Sequence, residues 1–243
     1  YLTPKCHFVS GYQAGRVQAS YPELNYIHNQ DWETTRAGWS FLGALPNESK
    51  ETLVSYSDIL FREATVKSLM ETDGDVVVAV DSQWRSRYAG RNLEDLNRCE
   101  KVCVVKEAIT LLGANIDISE ANAEFVGLVR FSKKAIEQLA EIKKSSDSDN
   151  TALKQANLSN LIELLKIRGL KIIAVEVCGD WSELNEPADI ARFILGTKAQ
   201  TLSRLKQMVT LSRIEDQVSF TVDQWNKEPL YWINEIQETL GKV

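Results

Sequence analysis

Two short runs constrain this chain more than any other feature: residues 75–80, DVVVAV, and residues 171–177, KIIAVEV. Each is strand-length and apolar on both alternating faces, so each needs cover above and below. Helical patterns between strands supply such cover, and the strand, helix, strand rhythm is that of an α/β fold. Residues 34–45 place Trp39, Phe41, Leu42 and Leu45 at helical spacing behind a Thr-Thr start suited to capping. Residues 63–71 and 133–144 are two further predicted helices, and a polar stretch, KKSSDSDN, follows the second as a linker. Residues 151–168 read as one periodic helix stopped by Gly169, rich enough in leucine to serve either the core or a partner.

The remaining strands are predicted at residues 5–12, 22–29, 53–57 and 124–131, with an antiparallel pair at 100–109 and 111–118. The expected architecture is one mostly parallel, Rossmann-like, three-layer sheet that gathers residues 53–57, 75–80, 124–131 and 171–177. Residues 100–118 are expected beside it as a small ribbon. Residues 196–243 break the rhythm: a helix at 198–211, a strand at 217–222 and a helix at 230–240 read as a helical appendage or a linker to a further module. The domains expected are therefore 1–195 and 196–243.

With 243 residues, 44% of them apolar, the chain can bury a proper core. A net charge of −6 argues against wholesale nucleic-acid binding, which draws on clustered Lys and Arg. No apolar run approaches the ~20 residues that span a bilayer, so neither nucleic acid nor membrane is an expected partner. Cys6, Cys99, Cys103 and Cys178 lack metal-type spacing, and His7 and His28 are the only histidines, which leaves zinc without ligands. Scattered cysteines of this kind fit reduced thiols in a cytoplasmic protein.

Three stretches carry candidate chemistry. In residues 52–61, TLVSYSDILF, Asp58 interrupts strand-forming residues, at the strand end where α/β sheets bind ligands and where a hard oxygen suits Mg²⁺. Capping of the next helix is the plainer role for the same carboxylate. Beyond Asp81, the segment DSQWRSRYAGRN interleaves Trp84 and Tyr88 with Arg85, Arg87 and Arg91, which suits either an anion-binding pocket or a solvated loop with aromatic anchors. After the second apolar run, GDWSELNEPAD holds a cluster of acids. Glu186, Pro187 and Asp189 open a helix at 190–195, whereas Glu183, flanked by Trp181 and Leu184, is not explained by capping.

Taken together, SYSDILF, DSQWRSRYAGR, CEKV, AEFVGLVRFS and VCGDWSELNEPADI resemble, in this order, the nucleotidyltransferases related to cytidylyltransferases of phosphocholine and aminoethylphosphonate, including the transferase domain fused to phosphoenolpyruvate mutases. The similarity covers roughly residues 6–195. It implies a GT-A-like nucleotidyltransferase fold and transfer of a nucleoside monophosphate, from CTP in preference to other triphosphates, to a small phosphomonoester or phosphonate, with pyrophosphate released. By resemblance Asp58 and Glu183 are the catalytic acids that hold Mg²⁺. Asn185 stands where many members have aspartate and would complete the metal set with a neutral oxygen.

Substrate contacts are expected from Arg36, Arg87 and Arg91, from Glu124, and from Trp32, Trp39, Trp84 and Tyr88 as walls of an acceptor pocket. Core packing is the plainer role for each aromatic. The family's opening GxGxR-type loop and first β-α-β are not found in these residues; Gly11 and Gly15 lack the arginine spacing, and Lys5 does not match the family's Pro-Lys lysine. The expectation is that this chain by itself turns over negligibly while its parent is an enzyme. Two rivals stay open: a degenerate, non-catalytic fold serving binding or dimerisation, and a glycosyltransferase, whose DxD-like pair SDI does not match. A homodimer and a fused ATP-binding module like that of phosphoenolpyruvate synthase, suggested by the tail, complete the expected partners.

Overall fold

A computed structural model describes residues 6–46, 48–88, 93–146, 150–196, 198–220 and 222–241. In chain order the first elements are β1 (His7–Ser10), α1 (Ala14–Ser20), β2 (Asn25–His28), α2 (Ala37–Gly43), β3 (Thr52–Ser55), β4 (Ile59–Phe61) and α3 (Glu63–Glu71). There follow β5 (Val76–Asp81), α4 (Trp84–Arg87), α5 (Leu93–Arg98), β6 (Lys101–Val105), β7 (Ala108–Gly113), β8 (Ala123–Phe131), α6 (Lys133–Ser145), α7 (Thr151–Lys154), α8 (Leu158–Ile167), β9 (Ile172–Glu176) and β10 (Trp181–Glu183). The chain ends with α9 (Pro187–Leu195), α10 (Lys198–Met208), α11 (Val222–Lys227) and α12 (Pro229–Leu240). The chain divides into two compact units, Tyr1–Trp181 and Ser182–Val243.

The first unit is built on a sheet ordered β3-β8-β5-β9-β7-β6, with β6 also pairing the start of β8. All four expected strands share this sheet, and the α/β class holds, but the strand directions are mixed. β5 and β9 are parallel, whereas β8 lies between β3 and β5 antiparallel to both. The reason is local: the β6–β7 hairpin returns the chain so that β8 enters from the opposite end. That hairpin is not a side ribbon; it forms the edge of the same sheet through β7–β9 and β6–β8 pairs. Its two-residue turn uses positive φ at Lys106 and Glu107, so the strands end earlier than their apolar pattern suggested.

β5 and β8 are buried at every residue, as two-faced apolar strands must be. One face carries Phe41, Val76, Val78, Phe131, Ile136, Leu139, Leu161 and Leu165, and the other Ile59, Leu69, Val77, Val126 and Leu128. The strand expected at 53–57 is β3, an edge strand whose residues alternate between partial burial and exposure. The expected 151–168 helix is broken into α7 and α8: residues 155–157 leave the helix, and a capping box between Asn157 and Asn160 restarts it. Leu158, Leu161, Ile162 and Leu165 are buried, so α8 spends its leucine face on the core rather than on a partner.

α2 begins at Ala37, not Thr34, and Arg36 at its N-cap makes no side-chain cap. Its amino end is satisfied by the α7–α8 junction instead: Arg36 N–H donates to the Lys154 carbonyl and Gly38 N–H to that of Ala156. A Cβ on Gly38 would stand 2.5 Å from the Ala156 oxygen, which is why the approach needs glycine. Buried Arg130 similarly closes the carboxyl end of α3, donating to the carbonyls of Leu69, Thr72 and Gly74 and pairing with Glu51 at 2.6 Å.

In the second unit, residue 222 starts a helix and residues 214–220 form no strand, correcting the expected strand at 217–222. Phe220 has no ladder to join and instead packs on Trp225 and Trp232, with centroids 5.3 and 5.1 Å away. Asp189 accepts the backbone N–H groups of Asn185 and Glu186, so the capping reading of that part of the acidic cluster is correct.

Candidate functional site

β3, β5 and β9 run the same way and β8 runs against them, so three carboxyl ends and the amino end of β8 form one edge of the sheet. Such an edge is where open α/β sheets take ligands. Acids collect there: Asp58 just beyond β3, Asp81 ending β5, Glu124 opening β8, and Glu176 and Asp180 at and beyond the end of β9. Asp58 is an exposed turn residue between β3 and β4, and among the described residues its carboxylate has no hydrogen bond or ion pair. It does not cap α3, whose N-cap is Arg62.

Asp81 is fully buried and held by three donors: Gln83 N–H at 2.9 Å, Gly179 N–H at 3.1 Å and the Trp181 indole N–H at 2.8 Å. Glu124, its direct partner across the β5–β8 ladder, is also buried. Two carboxylates side by side in a core need separate compensation. Glu124 receives it from the Arg87 guanidinium at 3.1 Å and the Tyr88 hydroxyl at 2.6 Å, while the same guanidinium lies 3.6 Å above the Trp181 ring. Asp81 orients Trp181, Trp181 supports Arg87, and Arg87 neutralises Glu124. Burial first, then the charge of Glu124, pushes the Tyr88 phenol well above its ordinary value. The same two causes push the Cys99 thiol up to about 11.

A second, half-buried acid, Glu100, is held by two hydroxyls. The Tyr56 hydroxyl donates to Glu100 at 2.8 Å, the Ser159 hydroxyl donates to the other Glu100 oxygen, and burial followed by the Glu100 charge raises the Tyr56 phenol.

The other sequence-expected residues are dispersed. Trp84 is wholly buried, a core residue rather than a pocket wall, and its indole N–H has no partner among the described residues. Arg85 covers Trp84 and donates to the carbonyls of Ile118 and Ala121, so this arginine is structural. Arg36 is exposed and bonds Gln155, and Trp39 packs half-buried against the core below Lys154. Trp32 packs on Tyr12. Arg91 lies outside the described residues. Glu183, half-buried, and Asn185, exposed, belong to the second unit.

No group of three or more His, Cys, Asp and Glu placed to hold a metal occurs among the described residues. Asp58 nevertheless fits a hydrated Mg²⁺, which takes one or two carboxylates and fills its other positions with water and substrate phosphate. Asp81 is the residue that the sequence pattern should have marked. An acid ending an all-apolar strand is the signal that drew attention to Asp58, and it is stronger at β5 than at β3. Tyr56 and Glu100 carried no comparable signal, because their pairing joins residues 44 positions apart.

This sheet, with acids along its ligand edge, has the Rossmann-like α/β fold of nucleotidyltransferases. The inositol-1-phosphate CTP transferase from T. maritima matches it with a TM-score of 0.56 at 21% identity, over 84% of this chain and 78% of that one. A nucleoside-diphosphate-sugar pyrophosphorylase from Vibrio cholerae matches with a TM-score of 0.51 at 11% identity, over 77% and 79% of the two chains. No family model matches. In sequence, the chain is similar to the CTP:phosphoglutamine cytidylyltransferase of Campylobacter jejuni subsp. jejuni, 21% identical over 179 residues that make up 72% of this chain and 69% of that protein. The resemblance to cytidylyltransferase-like nucleotidyltransferases thus stands on both sequence and fold. No helix among the described residues is long and apolar enough to cross a membrane.

Proposed function

We propose that the chain is a nucleotidyltransferase that moves CMP from CTP to an oxygen of a small phosphomonoester or phosphonate and releases pyrophosphate. The observation that carries this reading is Asp58: an exposed carboxylate with no hydrogen bond or ion pair among the described residues, at the carboxyl edge of a nucleotidyltransferase sheet. The similarity to a cytidylyltransferase supports CTP as the donor, and the names of that protein and of the inositol-1-phosphate CTP transferase support a phosphorylated acceptor.

In this reaction an acceptor oxygen attacks the α-phosphorus as the bond to the pyrophosphate oxygen breaks, and most of the catalysis is positioning and charge neutralisation. Bound Mg²⁺ supplies that neutralisation to the phosphates. Asp58 is the proposed ligand in the first unit, and Glu183 and Asn185 are further candidates by resemblance. Arg87 is already committed to Glu124, so its proposed part is to hold the floor of the edge, with Trp181 and Tyr88, rather than to grip a free anion.

Pyrophosphate release with Mg²⁺ across a panel of nucleoside triphosphates, phosphomonoesters and phosphonates tests the reading, with Asp58→Asn and Glu183→Gln as variants. Turnover restricted to CTP and lost in Asp58→Asn is expected of a protein that supplies the GxGxR-type loop, and negligible turnover of these 243 residues by themselves. An Asp58→Asn protein as active as the parent refutes the assignment of Asp58.

A further inference from the structure

The turn that carries Asp58 is only two residues long between anchors. Downstream, Ile59 begins β4 and is 8% exposed. Upstream, Tyr56 is fixed on three sides: its N–H donates to the Gly127 carbonyl at 2.9 Å, its hydroxyl donates to Glu100, and its ring meets Phe125 edge-on. Gly127 has φ of +84°, and a Cβ there would stand 2.4 Å from the Tyr56 ring, so the close approach of ring to β8 backbone depends on that glycine. Glu100 is in turn held by Ser159 near the start of α8. Ser57 and Asp58, the residues between these anchors, are both exposed.

We propose that Tyr56, latched to Glu100, is a positioning residue that holds the Asp58 carboxylate in the direction a divalent cation requires. This rests on the reading of Asp58 as a metal ligand. A ligand on a free loop would have to be ordered when the cation binds, and that ordering weakens binding. A turn pinned at both ends avoids much of the loss. The phenol touches neither cation nor substrate in this scheme; it acts through the backbone of residues 56–58.

The test uses Mn²⁺ alone as probe, with the full 243-residue chain and free Mn²⁺ counted by electron paramagnetic resonance, so that turnover is not needed. Tyr56→Phe keeps the ring and removes the bond to Glu100; Glu100→Ala removes the same bond from the other end and decides the matter if Tyr56→Phe fails to fold. Each is expected to raise the Mn²⁺ dissociation constant at least threefold, with the far-ultraviolet circular dichroism of the parent. Combining the two should add little, because both break one latch. A merely stabilising tyrosine would leave the affinity of the folded protein unchanged. If Asp58→Asn abolishes Mn²⁺ binding while both latch variants bind like the parent, the positioning proposal is overturned and the metal reading stands. If Asp58→Asn binds Mn²⁺ like the parent, the metal reading itself fails and takes the proposal with it.

Discussion

Replacing Arg87 with alanine should cost this protein a large part of its stability. The Arg87 and Glu124 side chains are 15% and 4% exposed and 3.1 Å apart, which makes theirs a buried pair rather than a surface one. Removing one member of such a pair costs about 3 to 5 kcal/mol, because the other charge stays behind in a poor solvent. The stack on Trp181 at 3.6 Å would add about 1 to 2 kcal/mol, and the aliphatic stem also loses packing. Against this, the Tyr88 hydroxyl still donates to Glu124 in the variant. Taking the effects as overlapping, the expected loss is about 3 to 5 kcal/mol, which is a large share of the ~5–15 kcal/mol that holds a typical domain. Urea unfolding followed by circular dichroism measures it. Glu124→Gln in the Arg87→Ala background should restore at least ~1 kcal/mol by removing a buried charge that has lost its guanidinium. A loss below ~1.5 kcal/mol, or strict additivity of the two substitutions, would refute the idea that this pair is buried and mutually dependent.

Asp81→Asn should destabilise by about 2 to 3 kcal/mol in the same assay. Its amide NH₂ must face one of three donors that Asp81 now accepts, leaving that donor buried and unpaired. Wild-type stability above pH 8 should fall more steeply than that of Cys99→Ala. The folded thiol titrates at about 11, raised chiefly by burial. An unfolded thiol ionises near ~8.5, so between these values the unfolded chain releases a proton that the native protein keeps, and stability drops as pH rises. Equal pH slopes for the two proteins from pH 8 to 10.5 would contradict this.

Much of the fold was legible because β5 and the body of β9 carry continuous apolar runs, and β8 does so between Glu124 and Arg130. Their directions were not, since an apolar run is the same forwards and backwards; only the β6–β7 hairpin shows that β8 must return antiparallel. The α7–α8 break was hidden by an unbroken leucine rhythm, while the asparagine pair that restarts the helix, Asn157 and Asn160, is a weaker signal than the Ser/Thr with Glu/Gln form of the box. At the site, Asp58 could be read from its interruption of an apolar run. The arginines were harder. A sequence does not say whether an arginine beside tryptophan is waiting for a ligand or is already paired, and the partner of Arg87 lies 37 positions away.

The junction between α7 and α8 also sets a timetable for synthesis. α2 has seven residues, too few to persist as an isolated helix, and the acceptor carbonyls for its first amides come from Lys154 and Ala156. Arg36 and Gln155, which bond each other here, are 119 positions apart. At roughly 5 to 20 residues per second, a ribosome needs about 6 to 24 s to cover that distance. Until then Phe41 and Leu42, both destined for the core, have no helix end to close and no α8 to pack against. The nascent chain therefore carries an unsealed apolar segment through much of its own translation.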